Sequence, residues 1–372
     1  LPEELQTKII AGPSYFIPWR TVINLGSLST PRRVVYDASS RTPGGESLND
    51  ILARGMNKLG KLLHLLVKFR YGSSAFSADI QMAYNSIKLD PDFYQYQQYL
   101  WKENLTSEEL AVIMIVITVI YGVKPSGNLT IAGFQKVVEA AKELGENYLI
   151  GALCLEACAY MDDIFSAHNS KSERDVAAAS LQDVLKLGSM SIKAVTKSGE
   201  APPEVVTADG STVGVVGYKW STTEDRLSLD IKPITLEKTK RGQPGEPVGG
   251  DLAAALAAKF TKRVLAGRVA SVFDPLGICT PITAQLKVDM SFVCKNADGW
   301  DSSLPPDLIP VWVKNLEQVR QLDKISVPRN VGVQKDGEYG FEMIVCVDAS
   351  ETIACAAVYA RTEPEPGIYD CN

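Results

Sequence analysis

Three acidic residues pose the chemical question: Asp79 in AFSADI, and the adjacent Asp162 and Asp163 in CAYMDDIF. Each lies in or beside an apolar run, where a charged side chain is costly unless something pairs with it. No basic residue accompanies either group in sequence. An adjacent Asp pair alone is most often a solvated turn. Three carboxylates brought together, however, repel unless a cation sits among them. Oxygen-only ligation, without histidine or thiolate, is the chemistry of Mg²⁺ or Mn²⁺. Two such ions roughly 3.5–4 Å apart stabilise the attacking and leaving oxygens of an in-line phosphoryl transfer, which suits a polymerase or a nuclease. Carboxylate pairs also serve glycosidases, but nothing here marks a protonated acid in a sugar cleft.

The elements that must hold these acids follow from patterning. Residues 75–79 read as a strand, and the acidic pair as the tip of a β-hairpin with arms 149–160 and 164–168. YFIPW and PRRVVYDAS read as strands, and TPGGESLN as a loop that ends by capping a helix. Apolar residues recur at helical spacing over 48–69, with Arg54, Lys58, Lys61 and Lys68 interleaved, an amphipathic region with a basic outer face. A strand is expected near 112–120, a turn at YGVKPSGN and a helix over 129–144. Ser172 with Asp175 forms a capping-box-like start for a helix running to Leu187. VVGYKWS and RLSLDI read as another hairpin. The Gly-, Pro- and charge-rich stretch 237–251 is the best internal boundary. Helices are expected beyond it over 252–272, 283–294 and 306–322, then two strands from about Tyr339.

At 372 residues the chain exceeds one ordinary core and suggests two or three domains. The formal charge of −6, from 38 Lys and Arg against 44 Asp and Glu, is a weak argument against nucleic acid, because a groove can be basic on an acidic protein. Seven cysteines and two histidines show no zinc spacing, so reduced thiols in an intracellular protein are expected. LPEELQTKII lacks the features of a signal peptide. The longest apolar run, 110–121, is too short to span a bilayer, so no membrane partner is expected. The leading Leu1 suggests a piece of a longer polypeptide.

YMDD at 160–163, following ADIQMAY at 78–84, resembles the palm signature of reverse transcriptases. RRVVYDASS with SLNDIL, LGSMSIK, VVGYKW, RVASVFDPLGICTPIT and VDASETIACAAVY, in that order, resemble the BEL/Pao type of LTR-retrotransposon polymerase. The FDPLG turn and the RVVYDAS–SLND block are the parts specific to that group. The resemblance implies an α+β right-hand polymerase: fingers and palm over 1–236, a helical thumb over 237–328, then a linker and the truncated start of an RNase H-like domain over 329–372. It implies RNA- and DNA-templated DNA synthesis onto a primer 3′-hydroxyl with two Mg²⁺ or Mn²⁺ ions, a template–primer duplex and a dNTP as partners, and a cytoplasmic location within a virus-like particle. The rival is a catalytically silent, domesticated or structural polymerase-fold subunit.

Carried over residue by residue, the resemblance makes Asp79 and Asp162 metal ligands, with the Ile80 carbonyl completing the shell and Asp163 as companion acid. Tyr84 matches the steric gate against a ribose 2′-hydroxyl, with a packed tyrosine as the competing reading. Arg33 matches the fingers arginine on the triphosphate, and Arg32 a backbone contact. Tyr121, Gly122, Pro125 and Ser126 would shape the nucleotide and template pocket, although Gly127 stands where the family has proline. Lys193 is the candidate for the lysine that protonates pyrophosphate, with Lys197 competing. Val216, Gly217, Tyr218, Lys219 and Trp220 match the primer grip. Lys259, Lys262, Arg263 and Arg268 would track the duplex backbone. Asp348 resembles the first acid of an RNase H site; SETIACA departs from the family's SEKAYGA, and RNase H activity is not expected.

Overall fold

The computed structural model describes residues 1–12, 14–23, 31–104, 106–206, 211–232, 261–332, 341–365 and 368–371. The chain opens with α1 (Glu3–Ala11) and the ribbon β1 (Trp19–Ile23) and β2 (Arg32–Tyr36), paired antiparallel. Then come α2 (Leu48–Ile51), α3 (Leu62–Phe69), β3 (Ser74–Gln81) and the ribbon β4 (Gln98–Trp101) and β5 (Val112–Ile115). Helices α4 (Ser126–Glu143) and α5 (Glu146–Cys158) lead into β6 (Ala159–Tyr160) and β7 (Asp163–His168). α6 (Lys171–Leu187) and β8 (Ser191–Lys197) close the first half.

A central antiparallel sheet in the order β6-β7-β3-β8 organises this half. Alternate residues of a strand point to opposite faces, and β3 and β7 use both. Phe76, Ala78, Ile80 and Ile164 pack against α4, α5 and α6, with Phe134, Val138, Leu155 and Leu181 in one core. Ala75, Phe165 and Ala167 belong to a second core on the other side. That core takes in α3, a sheet in the order β12-β11-β10-β9, and three helices. Its strands are β9 (Thr212–Val215), β10 (Tyr218–Ser221), β11 (Arg226–Leu229) and β12 (Ser326–Pro328). The helices are α7 (Lys262–Ser271), α8 (Thr280–Asn296) and α9 (Ile309–Gln321). Trp220 and Trp312 are both fully buried there, and a large side chain so placed contributes about 2–3 kcal/mol of transfer free energy. Helices α7–α9 therefore share one core with α3 and β9–β11. A separate three-stranded sheet ends the chain: β13 (Phe341–Ala349), β14 (Ala354–Glu365) and β15 (Ile368–Cys371).

Several expected elements differ. The first hairpin arm, 149–160, is helix α5 up to Cys158, leaving two strand residues. The run LIGALCLEAC is rich in Leu and Ala, good helix formers, and its partner is α6 rather than a strand. Gly151 explains the closeness of that contact, since a Cβ there would lie 2.4 Å from the Ser180 backbone. The helical region 48–69 is two short helices, interrupted where Gly55 takes a φ of 77°. Ser47 and Asp50 cap the first reciprocally, as the loop's composition suggested. Helix α6 is capped by Ser170, which accepts from the Glu173 amide, rather than by Ser172. VVGYKWS is not one strand: Val216 and Gly217, with φ of 34° and 91°, form the turn between β9 and β10. The boundary at 237–251 and residues 252–260 lie outside the described residues.

Candidate active site

Asp79 and Asp163 face each other across β3 and β7 in the antiparallel register. The Ile80 amide donates to the Asp162 carbonyl at 2.8 Å, which ties the hairpin tip to β3. Tyr160 pairs with Asp163, so Met161 and Asp162 make a two-residue tip. Met161 holds a φ of 57°, a left-handed conformation costing about 1–2 kcal/mol in a non-glycine residue. Such strain persists only where the surroundings enforce it. Gly127 helps: a Cβ there would lie 3.3 Å from the Met161 methyl, so its bare backbone makes room for the tip.

Like charges directly opposite each other across strands are unfavourable, and the acids register it. Burial first, then Asp162 and Asp79, push the Asp163 carboxyl up to about 7. Asp79 is also raised, chiefly by burial; Lys193 opposes the shift and Asp162 adds to it. Lys193 Nζ lies 3.6 Å from Asp79 Oδ2. Its placement comes from a β-bulge. Asp79 sits opposite Ala194 but Ile80 opposite Ile192, so Lys193 is the extra residue and is turned toward the acid. Lys197, the competing candidate, pairs with Asp175 at 2.9 Å. The protein itself thus supplies part of the counter-charge that the sequence had left to a metal.

Tyr84 is buried and its ring lies 4.0 Å from that of Tyr121. Burial, then Asp162, raises the Tyr84 phenol. Burial, followed by Asp162, Tyr84 and Asp79, pushes Tyr121 up to about 12, with Arg33 acting in the opposite sense. Arg33, exposed on β2, therefore shares the field of the acids, as it does at Asp79; Arg32 is exposed beside it. Gly122 has a φ of 96°, and a Cβ there would meet the Tyr36 carbonyl at 2.5 Å. Sequence reasoning missed Asn49, which donates to the Gly122 carbonyl (2.9 Å) and accepts from the Lys124 amide (2.8 Å). Its only signal was membership of the SLND block. Ser126 Oγ donates to the Ile120 carbonyl at 2.6 Å, closing the same turn.

Two cavities adjoin the tip. One of about 220 Å³ is lined by Asp79, Asp163, Lys193, Thr196, Val213 and Gly214. The other, of about 540 Å³, runs from Met161 between α3, α4 and α5, past Lys58, Lys61, His64, Lys68 and Lys142. The basic face seen over 48–69 thus borders a groove.

Other expected contacts are placed differently. Tyr218 and Trp220 are fully buried, so they support the β9–β10 turn and cannot touch a partner; Lys219 lies 3.7 Å from Asp230. Lys262 is buried, and its ammonium donates to the Cys294 (3.3 Å) and Ala297 (2.8 Å) carbonyls. A lysine spent on the end of α8 cannot track a duplex. Arg263 makes a two-point pair with Asp301 at 2.8 and 2.9 Å. Arg268 is partly buried in α7, and burial lowers its pKa. Lys259 lies outside the described residues. Asp348 is exposed on β13 opposite Cys355, accepting only a local bond from the Ala349 amide among the bonds described. None of the seven cysteines is in a disulfide, and Cys154 and Cys158 contact the Ser166 hydroxyl at 3.6 and 3.7 Å.

Among the described residues no three His, Cys, Asp or Glu side chains are grouped so as to hold a metal ion. Asp79 and Asp162 nevertheless suit Mg²⁺, which is commonly bound by one or two carboxylates with water and substrate phosphates completing the shell. Burial first, and the neighbouring carboxylates after it, raise Asp79 and Asp163, and a cation beside them would oppose both shifts.

Residues 261–372 match the family model of the Pao retrotransposon-like RNaseH-like domain. The match starts at the cap of α7 and runs through β15, so it includes α7–α9, expected to be a thumb, as well as the sheet bearing Asp348. It supports a retrotransposon pol protein of BEL/Pao type. No curated protein matches the chain. Among the described residues no helix is long and apolar enough to cross a membrane.

Proposed function

We propose that this chain is a reverse transcriptase, extending a primer 3′-hydroxyl with deoxynucleotides on an RNA or DNA template, within a virus-like particle in the cytoplasm. One observation carries the reading: Asp79 and Asp163 face each other across two paired strands, beside the strained tip that bears Asp162, and a bulge turns Lys193 toward Asp79. Asp79 and Asp162 would hold Mg²⁺ or Mn²⁺, which when bound supplies Lewis acidity and neutralises phosphate charge. Lys193 holds a proton at its ammonium beside Asp79, placed to pass it to a departing pyrophosphate. Arg33 offers a guanidinium to triphosphate oxygens. The Tyr84–Tyr121 ring pair forms a wall against a 2′-hydroxyl. The wall of Lys58, Lys61 and Lys68 in the cavity beside Met161 and the RNaseH-like name of the matched family both favour a nucleic-acid partner.

A second reading, a catalytically silent nucleic-acid-binding subunit, is favoured by the Lys193–Asp79 pair, because the acids already have an internal counter-charge. Primer extension on an RNA template with Mg²⁺ or Mn²⁺, with duplex binding measured in parallel, separates the two. Extension by the wild type and its loss in Asp162→Asn with binding retained is the expected result. Duplex binding without any wild-type extension establishes the silent subunit. A variant extending at the wild-type rate removes Asp162 from the site.

A further inference from the structure

Strand β9 borders the carboxylates, since Val213 and Gly214 line the cavity that also holds Asp79, Asp163 and Lys193, and the turn into β10 follows directly at Val216 and Gly217. That turn is costly as built. Val216, a β-branched residue, takes a φ of 34°, where such side chains are disfavoured. Something outside the hairpin must hold it. Two consecutive residues of the FDPLG block do so. A Cβ on Gly217 would meet the Phe273 ring at 2.5 Å, so the turn rests directly on that ring. Tyr218, fully buried, donates its hydroxyl to Asp274 Oδ1 at 2.7 Å and accepts the Leu276 amide at 2.8 Å. The Asp274 carboxylate also accepts the Ile278 amide (3.0 Å) and the Cys279 amide (2.7 Å) at the entry to α8. Among the described residues this carboxylate is satisfied by three donors, one hydroxyl and two amides.

We infer that Phe273 and Asp274 are positioning residues that set where the Val216–Gly217 turn stands relative to the carboxylates, through the Tyr218 hydroxyl. The inference rests on the polymerase reading for its effect on rate. Neither residue reaches the acids, so the pair acts by geometry alone. A misplacement on the order of 1 Å can cost up to about a hundredfold in rate.

Tyr218→Phe removes the hydroxyl and keeps the ring; Asp274→Asn keeps the shape and removes the charge. In primer extension, Tyr218→Phe should lower kcat roughly tenfold with the KM for dNTP little changed. The losses in the double variant should be less than additive, because the two substitutions share the Tyr218–Asp274 bond. A folded Tyr218→Phe with wild-type kcat, or fully additive losses, overturns the inference. Should Tyr218→Phe not fold, Phe273→Leu reads the same turn from the other side, with the same kcat loss expected and wild-type kcat overturning it. Amide exchange makes the test independent of activity. Protection at Val216–Tyr218 should fall in Tyr218→Phe while α6 keeps its own; unchanged protection, or uniform loss, overturns the inference. If the wild type extends no primer, the polymerase reading fails, and exchange alone judges the positioning.

Discussion

Asp79 and Asp163 lie on a sheet packed on both faces, whereas Asp348 lies on a sheet that exposes Met343, Val345, Val347 and Val358. All three are strand aspartates next to apolar residues, and the sequence around each looks much alike. Their environments do not. The first sheet removes water from one side of its acids, sets two of them opposite each other and bulges to deliver a lysine. The third sheet leaves Asp348 in water, bonded to the next amide. A carboxylate acquires unusual chemistry from desolvation and like-charged neighbours, and only one of these regions provides them.

The contrast can be broken or sharpened by substitution. The largest effect is expected at Asp79→Asn, which should cost primer extension on the order of a thousandfold or more by removing a ligand oxygen; an intact rate would move the site elsewhere. Lys193→Met should follow with a loss of roughly a hundredfold in kcat, the lower end for a general acid. Single-turnover kinetics with a rate equal to wild type would leave Lys193 a mere counter-ion. Asp163 gives a subtler signature in chelator-treated protein. Its folded carboxyl lies near 7 against an ordinary 3.8, so the folded state holds a proton that the unfolded chain releases between those values. Stability therefore falls as pH rises through that window and levels off above it. Asp163→Asn should flatten this slope, raising Tm by several degrees at pH 8 and leaving it unchanged near pH 4. A slope that survives the substitution assigns it to other groups. Asp348→Asn, the smallest expected change, should alter neither extension nor Tm; a loss of extension would erase the distinction between the two sheets.

The turn at the acidic pair, the β3 strand, the α4 helix and a cap at the end of TPGGESLN were legible because each rests on local pattern. Helix α5 was not, because a short apolar run suits a buried helix or a buried strand equally. The burial of Lys262 was hidden for a related reason: it looks like any surface lysine until the end of α8 arrives beneath it. Arg329 had no signal at all. It is fully buried and pairs with Asp225 (2.7 Å), while donating to the Phe69 carbonyl (2.6 Å). Those partners are far apart in the chain, and no window of sequence contains them.

Which residues were available for metal and phosphate chemistry was determined by the sequence: Asp79, Asp162 and Asp163, with oxygen donors and no histidine beside them. What only the tertiary structure decided is the company they keep. A one-residue bulge set Lys193 beside Asp79 while Lys197 pairs with Asp175, and the end of α8 took up the ammonium of Lys262. The physical reason is range. Side-chain chemistry is a property of the residue, but desolvation and pairing depend on what the fold places within a few ångströms.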